Sequence, residues 1–383
     1  MSRRLVIITE IISPYRIPLF NALAKRTDVA LHVIFLAETD PGLRQWQVYK
    51  DEIQFPYEVL PSWRRNICGH NTLLNRGVGR VLSAARPDVI LCGGYNYVAS
   101  WVALRWARAR DIPFFLWSES NLQDLRRGQM LVEFAKREFL ARCGGFVVPG
   151  RSAFKYLQAH KIREDNIFTA VNAVDNNFFA RSARSARENE MGLRKELGLP
   201  ERYFLFVGRL VKEKGVFELL AAYAKLNTTL RERVGLVFVG DGASRKALED
   251  KSATLHRGSV KFTGFAQREC LADYYALAET LVLPTYTDTW GLVVNEAMAC
   301  GLPIIVSEAA GCTADLVTEG WNGYIVPRTD VESLSRAMET LTHQPGTSRW
   351  MGENSSKRIV EYSPEAWSEG IVRMMREAET KRG

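Results

Sequence analysis

Short apolar runs recur along the first half of the chain. LVIIT (5–9), LHVIFL (31–36), VILCGG (89–94), FFLWSES (114–120) and GFVVPG (145–150) are brief, apolar and rich in branched and aromatic residues. That is the signature of strands buried on both faces. Between several of them lie amphipathic stretches such as IPLFNALAKR (17–26) and VASWVALRWARAR (98–110). The alternation predicts a parallel, doubly wound sheet. The pattern then restarts. FLFVGRL (204–210), VGLVFVGDG (234–242), VKFTGF (260–265), TLVLPT (280–285) and PIIVSE (303–308) read as strands, separated by helical patterns such as VFELLAAYAKL (216–226) and LVVNEAMACG (292–301). Two such series predict an α/β chain of two Rossmann-like, doubly wound domains facing across a cleft, 1–175 and 176–362. Their join falls within 171–190, which opens on a turn-forming Asn/Asp cluster and ends in a charged run. The last stretch, within 363–383, reads as one more amphipathic helix.

In open α/β sheets ligands sit beyond the carboxyl ends of the strands, so the residues just after each strand carry the candidate chemistry. In VGRLVKEKG (207–215) a strand ends at Gly208, with Arg209 and Lys214 following. Arg and Lys there suit diphosphate oxygens, the one through a bidentate fork and the other as a point charge; a merely solvated loop is the alternative. In LPTYTDTWGLVVNEAMACG (283–301) a strand runs into a polar loop and Trp290-Gly291-Leu292 opens a helix. The free N–H groups and dipole of that first turn make an anion site. Asp288 precedes the helix, where it can act as a cap, and Glu296 lies two turns on with seven residues intervening. Glu296 is either a surface carboxylate or, beside Met298, Ala299 and Cys300, a buried one in need of a partner such as ribose hydroxyls.

Charge adds one asymmetry. The 383 residues carry a net formal charge of +8, and it lies in the first part: residues 1–180 hold 24 basic against 16 acidic side chains, and residues 181–383 hold 27 of each. Trp63, Arg64, Arg65, Arg105, Trp106, Arg108, Arg110, Arg126, Arg127, Lys136 and Arg137 combine basic and aromatic character there. The combination suits the anionic headgroups at the inner face of a membrane, or is a core Trp among solvated Arg. No nucleic-acid-binding motif accompanies it. The six cysteines form no C-x-x-C pair and the five histidines are scattered, which predicts reduced thiols and no metal framework. Glu10 interrupts the apolar N-terminal run, so that run reads as a first strand of a cytoplasmic protein rather than a leader.

Taken together, GRLVKEKG and the D-x7-E spacing inside DTWGLVVNEAMACGLPIIVS resemble the GT-B-fold, retaining glycosyltransferase family 4, over roughly 200–330. The opening ISPYRIPLF is similar to members that build bacterial polysaccharides. The resemblance implies transfer of a hexosyl-type sugar from a nucleotide-diphosphate sugar to an acceptor hydroxyl, with retention and without a metal or other cofactor. The chain indeed has no D-x-D motif. It implies that Arg209 and Lys214, after Gly208, contact the donor diphosphate. The amides of Trp290, Gly291, Leu292 and Val293 would hold phosphate and sugar, Glu296 the ribose, and Gly264 and Phe265 would border the base. It implies that the last helix returns to the first domain, and it makes a lipid-linked saccharide in polysaccharide, O-antigen or glycolipid assembly the expected acceptor.

Two positions depart from the family pattern. Asp288 stands where a Glu is usual, one methylene shorter. Many relatives place a His after the fourth strand, and here WSESN (117–121) offers Glu119 and Asn121. Glu119 either orients the acceptor and stabilises positive charge on the sugar, or caps a helix. Tyr15 and Arg16, after the first strand, either meet a phosphate or form an ordinary turn; Gly93-Gly94-Tyr95-Asn96 has the same kind of location. Other activities on this type of fold, an epimerase or a phosphorylase, and a binding protein without activity are the rival readings.

Overall fold

The computed structural model describes residues 2–40, 45–67, 70–122, 130–255 and 258–380. Cys68, Arg126 and Arg127 lie outside the described residues. The chain forms two compact units, Met1–Ala173 together with Pro364–Gly383, and Val174–Ser363.

The strands of the first unit are β1 (Arg3–Thr9), β2 (Val29–Phe35), β3 (Tyr57–Val59), β4 (Ser62–Ile67), β5 (His70–Asn75), β6 (Val89–Gly93), β7 (Phe114–Trp117), β8 (Gly145–Val148) and β9 (Ile167–Thr169). Among the described residues seven of them form one sheet in the order β3-β2-β1-β6-β7-β8-β9, and β4 and β5 pair by themselves. All pairings in the large sheet are parallel. Such a sheet is covered on both faces. Val6, Ile8 and Ile34 pack into one core cluster, and Leu5, Ile7 and Val33 into another.

The second unit contains β10 (Tyr203–Val207), β11 (Gly235–Val239), β12 (Val260–Gly264), β13 (Thr280–Leu283), β14 (Ile304–Ser307) and β15 (Gly323–Val326). Their order is β12-β11-β10-β13-β14-β15, again parallel. In both sheets the chain starts at the middle, winds outward to one edge, and returns to wind toward the other. The order reverses between β1 and β6 and between β10 and β13. At such points the connections leave in opposite directions and open a crevice beyond the carboxyl ends.

Several elements depart from the sequence reading. Residues 176–188, read as part of a polar join, form the helix Asn176–Glu188. The Asp175 side chain caps it by accepting from the Phe178 amide at 2.8 Å, and Phe179, Ala183 and Ala186 are its buried face. The basic-aromatic run at Trp63 and Arg64 lies on a hairpin strand. The short strands β3, β9 and β15 have three or four residues each, too few to show a period of two.

The final helix, Pro364–Thr380, packs against the helix Ile17–Ala24 and against β9. Trp367 is wholly buried there, between the rings of Phe20 at 5.7 Å and Trp117 at 5.4 Å. A Cβ on Gly370 would stand 2.5 Å from the Thr169 carbonyl oxygen, so this helix approaches β9 as closely as a backbone can. Truncating Trp367 to Ala should destabilise the first unit by about 3–5 kcal/mol, as for other fully buried large aromatics. The shift of the urea midpoint followed by tryptophan-independent far-UV circular dichroism measures it.

Candidate functional site

The switch point of the second sheet gathers most of the candidate residues. After β10 the backbone turns at Gly208, φ +148°. The Gly208 amide donates to the Val239 carbonyl at 3.0 Å, and a Cβ on Gly240 would lie 1.9 Å from the Gly208 oxygen. The loops after β10 and β11 therefore run in backbone contact. Arg209 is exposed on the first of them. A single 3-10 turn, Lys212–Lys214, follows and ends at Gly215, φ +69°.

Gly215 joins this loop to the one after β13. A Cβ there would sit 2.0 Å from the Pro284 oxygen, so no other residue permits the approach. Two further bonds stitch the loops, both to the Glu213 carbonyl: from the Tyr286 amide at 2.8 Å and from the Thr285 hydroxyl at 3.1 Å. Farther along, the Gly311 amide donates to the Asp288 carbonyl at 3.0 Å and the Cys312 amide to the Trp290 carbonyl at 2.9 Å. Asp288 is thus held by the loops after both β13 and β14. Across this frame Lys214 Nζ meets Asp288 Oδ2 at 2.5 Å, with the two side chains 18% and 17% exposed. The Trp290 amide approaches the other carboxylate oxygen at 3.4 Å.

The helix Leu292–Ala299 begins at Gly291, which is left-handed at φ +99°, and no side chain caps it. Its first amides have no intrahelical acceptors and point out at the positive end of the helix dipole. Leu292 and Val293 are half-buried, whereas Trp290 is buried and donates from Nε1 to Asn295 Oδ1 at 2.8 Å. That bond fixes the entry of the chain into the helix.

Glu296 lies on this helix, half-buried. Burial pushes its carboxyl from the ordinary 4.5 up to about 7, opposed by a hydrogen bond from Tyr275, whose hydroxyl stands 2.7 Å from Oε2. At the neighbouring strand end, Gly264 closes β12 at φ +80°, facing Arg245, and Phe265 is 43% exposed, an uncovered ring. Sequence reasoning missed three participants here. Tyr275 lies in an unremarkable YYAL run. Tyr286 donates to Glu218 at 2.5 Å beside the Lys214 loop. The Gly240-Asp241-Gly242 turn follows β11 as Gly208-Arg209 follows β10, and its strand-end glycines were the signal that could have found it.

In the first unit the candidates also converge at the switch point. Pro14–Arg16 forms a 3-10 turn after β1. Arg16 donates from Nη1 to Thr9 Oγ1 at 2.7 Å, pairs through Nη2 with Glu119 Oε1 at 3.3 Å, and lies over the Trp117 ring at 4.3 Å. Burial would lower its pKa, but the charge of Glu119 and the nearby Tyr15 and Glu10 leave it raised. Arg16 and Glu119, considered separately from sequence, are therefore one ion pair spanning the ends of β1 and β7. Tyr15 is half-buried against Trp46, and Asn121 is buried. Gly93, at the end of β6, leaves the space that Arg16 fills, a Cβ there being 3.6 Å from Nη1.

The basic cluster divides. Arg105, Arg108 and Arg110 are exposed, Arg110 lying over the Trp106 ring at 4.5 Å. Arg64 instead pairs with Asp40 at 2.9 Å, and Lys136 is buried. Among the described residues no helix is long and apolar enough to cross a membrane.

Residues 192–358 match the family model described as glycosyl transferases group 1. An uncharacterised glycosyltransferase of Methanocaldococcus jannaschii is 30% identical over 177 residues, 45% of each chain. A D-inositol 3-phosphate glycosyltransferase of Kribbella flavida is 32% identical over 190 residues, 47% of this chain and 43% of its own. The chain thus spans less than half the length of these curated relatives. A D-inositol 3-phosphate glycosyltransferase of Frankia alni is 28% identical over 344 residues, 84% of this chain and 81% of its own. HepE of Anabaena, solved in complex with UDP, superposes with a TM-score of 0.77 at 18% identity, covering 98% of this chain and 100% of that one. Sucrose-phosphate synthase of Thermosynechococcus elongatus gives 0.74 at 20%, covering 99% and 100%.

The perturbed carboxyl of Glu296 makes folding stability pH-dependent. Its folded pKa is raised, so the native state keeps the proton that the unfolded chain releases. The contribution is whole below 4.5 and is lost as pH rises through about 7. Between pH 4.5 and 7.5 the thermal stability of nucleotide-free wild type should therefore fall relative to Glu296→Gln, as differential scanning calorimetry of the two proteins measures.

Proposed function

We propose that the chain, whose residues 192–358 match the glycosyl transferases group 1 and whose fold is that of GT-B glycosyltransferases, transfers a sugar from a nucleotide-diphosphate sugar to an acceptor hydroxyl. The observation that carries this reading is the Lys214–Asp288 pair beside an uncapped helix start, with Arg209 exposed on the loop after β10 at the same switch point. Cations and free helix amides near one another favour a diphosphate, above all one that gains charge as its bond to the sugar breaks.

In this reading Arg209, Lys214 and the amides of Gly291, Leu292 and Val293 take the diphosphate. The phosphate competes with Asp288 for Lys214, and the carboxylate so released turns to the donor sugar. Glu296 accepts from the ribose hydroxyls, and the exposed ring of Phe265 with Gly264 borders the base. The C1–O bond of the sugar breaks with its electron pair going to the diphosphate. The acceptor oxygen bonds to C1 from the same face, so configuration is retained, and the acceptor proton passes to the departing phosphate oxygen. The side chains and the helix start supply the positive charge that a metal supplies in other transferases. The Arg16–Glu119 pair belongs to the acceptor side, where Arg16 meets a phosphate and Glu119 the acceptor hydroxyl or the positive charge on the sugar. We assign the acceptor to the lipid-linked saccharides.

Anionic membrane contact follows the same assignment, with fewer residues than the sequence suggested. The helix Val98–Arg108 presents Val98 and Val102, 50% and 42% exposed, along with exposed Arg105 and Arg108. Trp63 is 48% exposed with Arg76 over its ring at 5.1 Å. Apolar side chains flanked by Arg suit a headgroup interface.

Incubated with a panel of nucleotide-sugars, the protein should release nucleoside diphosphate from one of them, and EDTA should leave the rate unchanged. Arg209→Ala and Lys214→Ala should each lower that rate by about 100-fold, as for loss of a positioned donor in the transition state. Full activity in both variants would remove the diphosphate assignment. On the membrane side, the protein should float with vesicles containing phosphatidylglycerol and not with pure phosphatidylcholine. Equal behaviour with both would sink that contact.

A further inference from the structure

Among the described residues none of the ion pairs includes Glu296, and burial and the hydrogen bond from Tyr275 are what act most on its carboxyl. A half-buried carboxylate without a cation depends on neutral donors for its charge and its orientation. We propose that Tyr275 is the positioning residue of the nucleotide site: its hydroxyl occupies Oε2 of Glu296 and turns Oε1 toward a ribose diol. This rests on the reading of Glu296 as the ribose-binding carboxylate.

Tyr275 is built for the task. It sits near the end of the helix Arg268–Leu277, is wholly buried, and packs edge-on against Phe179 at 6.1 Å. Phe179 is buried in turn on the helix Asn176–Glu188. The ring therefore has one place to go. Burial and the neighbouring Glu296 raise its pKa well above the ordinary value, so the hydroxyl donates at every pH of interest. Three charged groups on the neighbouring helices have partners of their own. Arg187, on the helix Asn176–Glu188, donates to the carbonyls of Ala276 and Cys300. On the helix Pro345–Ile359, which packs on the helix bearing Glu296, Lys357 donates to Asn354 and Arg358 to the Asp315 carbonyl. The Cys300 thiol, at the end of the helix of Glu296, is pushed far up by burial and stays neutral.

The diol donates its hydrogen bonds, so it selects the ionised carboxylate. Binding of a ribonucleotide should then strengthen as pH rises, and removing the tyrosyl donor should move that rise to higher pH.

The experiment is calorimetric titration of UDP, GDP and ADP and their 2′-deoxy forms into wild type, Tyr275→Phe and Glu296→Ala between pH 6 and 9. In Tyr275→Phe, the preference for the ribonucleotide over the 2′-deoxynucleotide should fall about tenfold at pH 7, in keeping with one hydrogen bond to a charged group. It should recover toward pH 9, with affinity for the deoxynucleotide, which keeps only the 3′-hydroxyl, falling less. A loss of preference in Glu296→Ala with none in Tyr275→Phe would overturn the role of Tyr275 and leave the ribose reading standing. An unchanged preference in Glu296→Ala would overturn the ribose reading itself. If Tyr275→Phe does not fold, 3-fluorotyrosine placed at position 275 keeps the ring and makes a stronger donor. It should shift the pH midpoint downward, and an unmoved midpoint would overturn the proposal.

Discussion

The contact of Gly215 with the Pro284 carbonyl governs the second unit. β10 and β13 are neighbours in the sheet, but their chains leave in opposite directions, and the loops that follow would ordinarily diverge. At Gly215 a backbone without a Cβ presses against the far loop, and the Glu213 carbonyl takes two hydrogen bonds from that loop. The result is a rigid bridge across the crevice. Lys214 is the residue immediately before that glycine, so the bridge delivers its ammonium to Asp288. The ion pair with Asp288 then holds the end of this long side chain in place.

The same logic of backbone approach recurs at each strand end. Gly208 lies against Gly240, Gly240 bridges to Gly264, and Gly291 opens the helix beneath Leu283. Close-set glycines bring four loops together without intervening side chains. Backbone amides and polar side chains, Lys214 and Asp288 among them, are then the groups left at the strand ends. The first unit solves the equivalent problem with an ion pair. Arg16 is wedged between Trp117, Thr9 and the space left by Gly93, and Glu119 holds it there. One switch point pairs Lys214 with Asp288 beside an uncapped helix start, and the other pairs Arg16 with Glu119.

The position of Asp288 is set by its backbone: the loop carrying it is hydrogen-bonded to Gly311 and Cys312, and its carboxylate meets Lys214. The same frame places Trp290 so that its indole anchors Asn295 and orients the helix on which Glu296 stands.

The fold class, the strands β1, β2, β6, β7, β8 and β10 to β14, the strand-end loops of Arg209, Lys214 and Asp288 and the helix carrying Glu296 were legible from sequence alone. Each depends on local chemistry: apolar runs of strand length, glycine at a turn, a polar loop opening a helix. The short strands β3, β9 and β15 were not legible because they are only partly buried, whereas the equally short β7, β8, β13 and β14 were read from their unbroken buried runs. The helix Asn176–Glu188 was hidden by its charged face, although Phe179, Ala183 and Ala186 mark its buried side. Tertiary structure alone decided the pairings. Arg16 meets Glu119 across 103 residues, Lys214 meets Asp288 across 74, and Tyr275 meets Glu296 across 21. Sheet order and loop contact set these distances, and no spacing along the chain encodes them. It also decided that Lys136 is buried and Arg64 paired, since burial of a charge depends on what folds over it. A sequence specifies which groups can act at a strand end. Which of them face one another is set by the order in which the strands lie side by side.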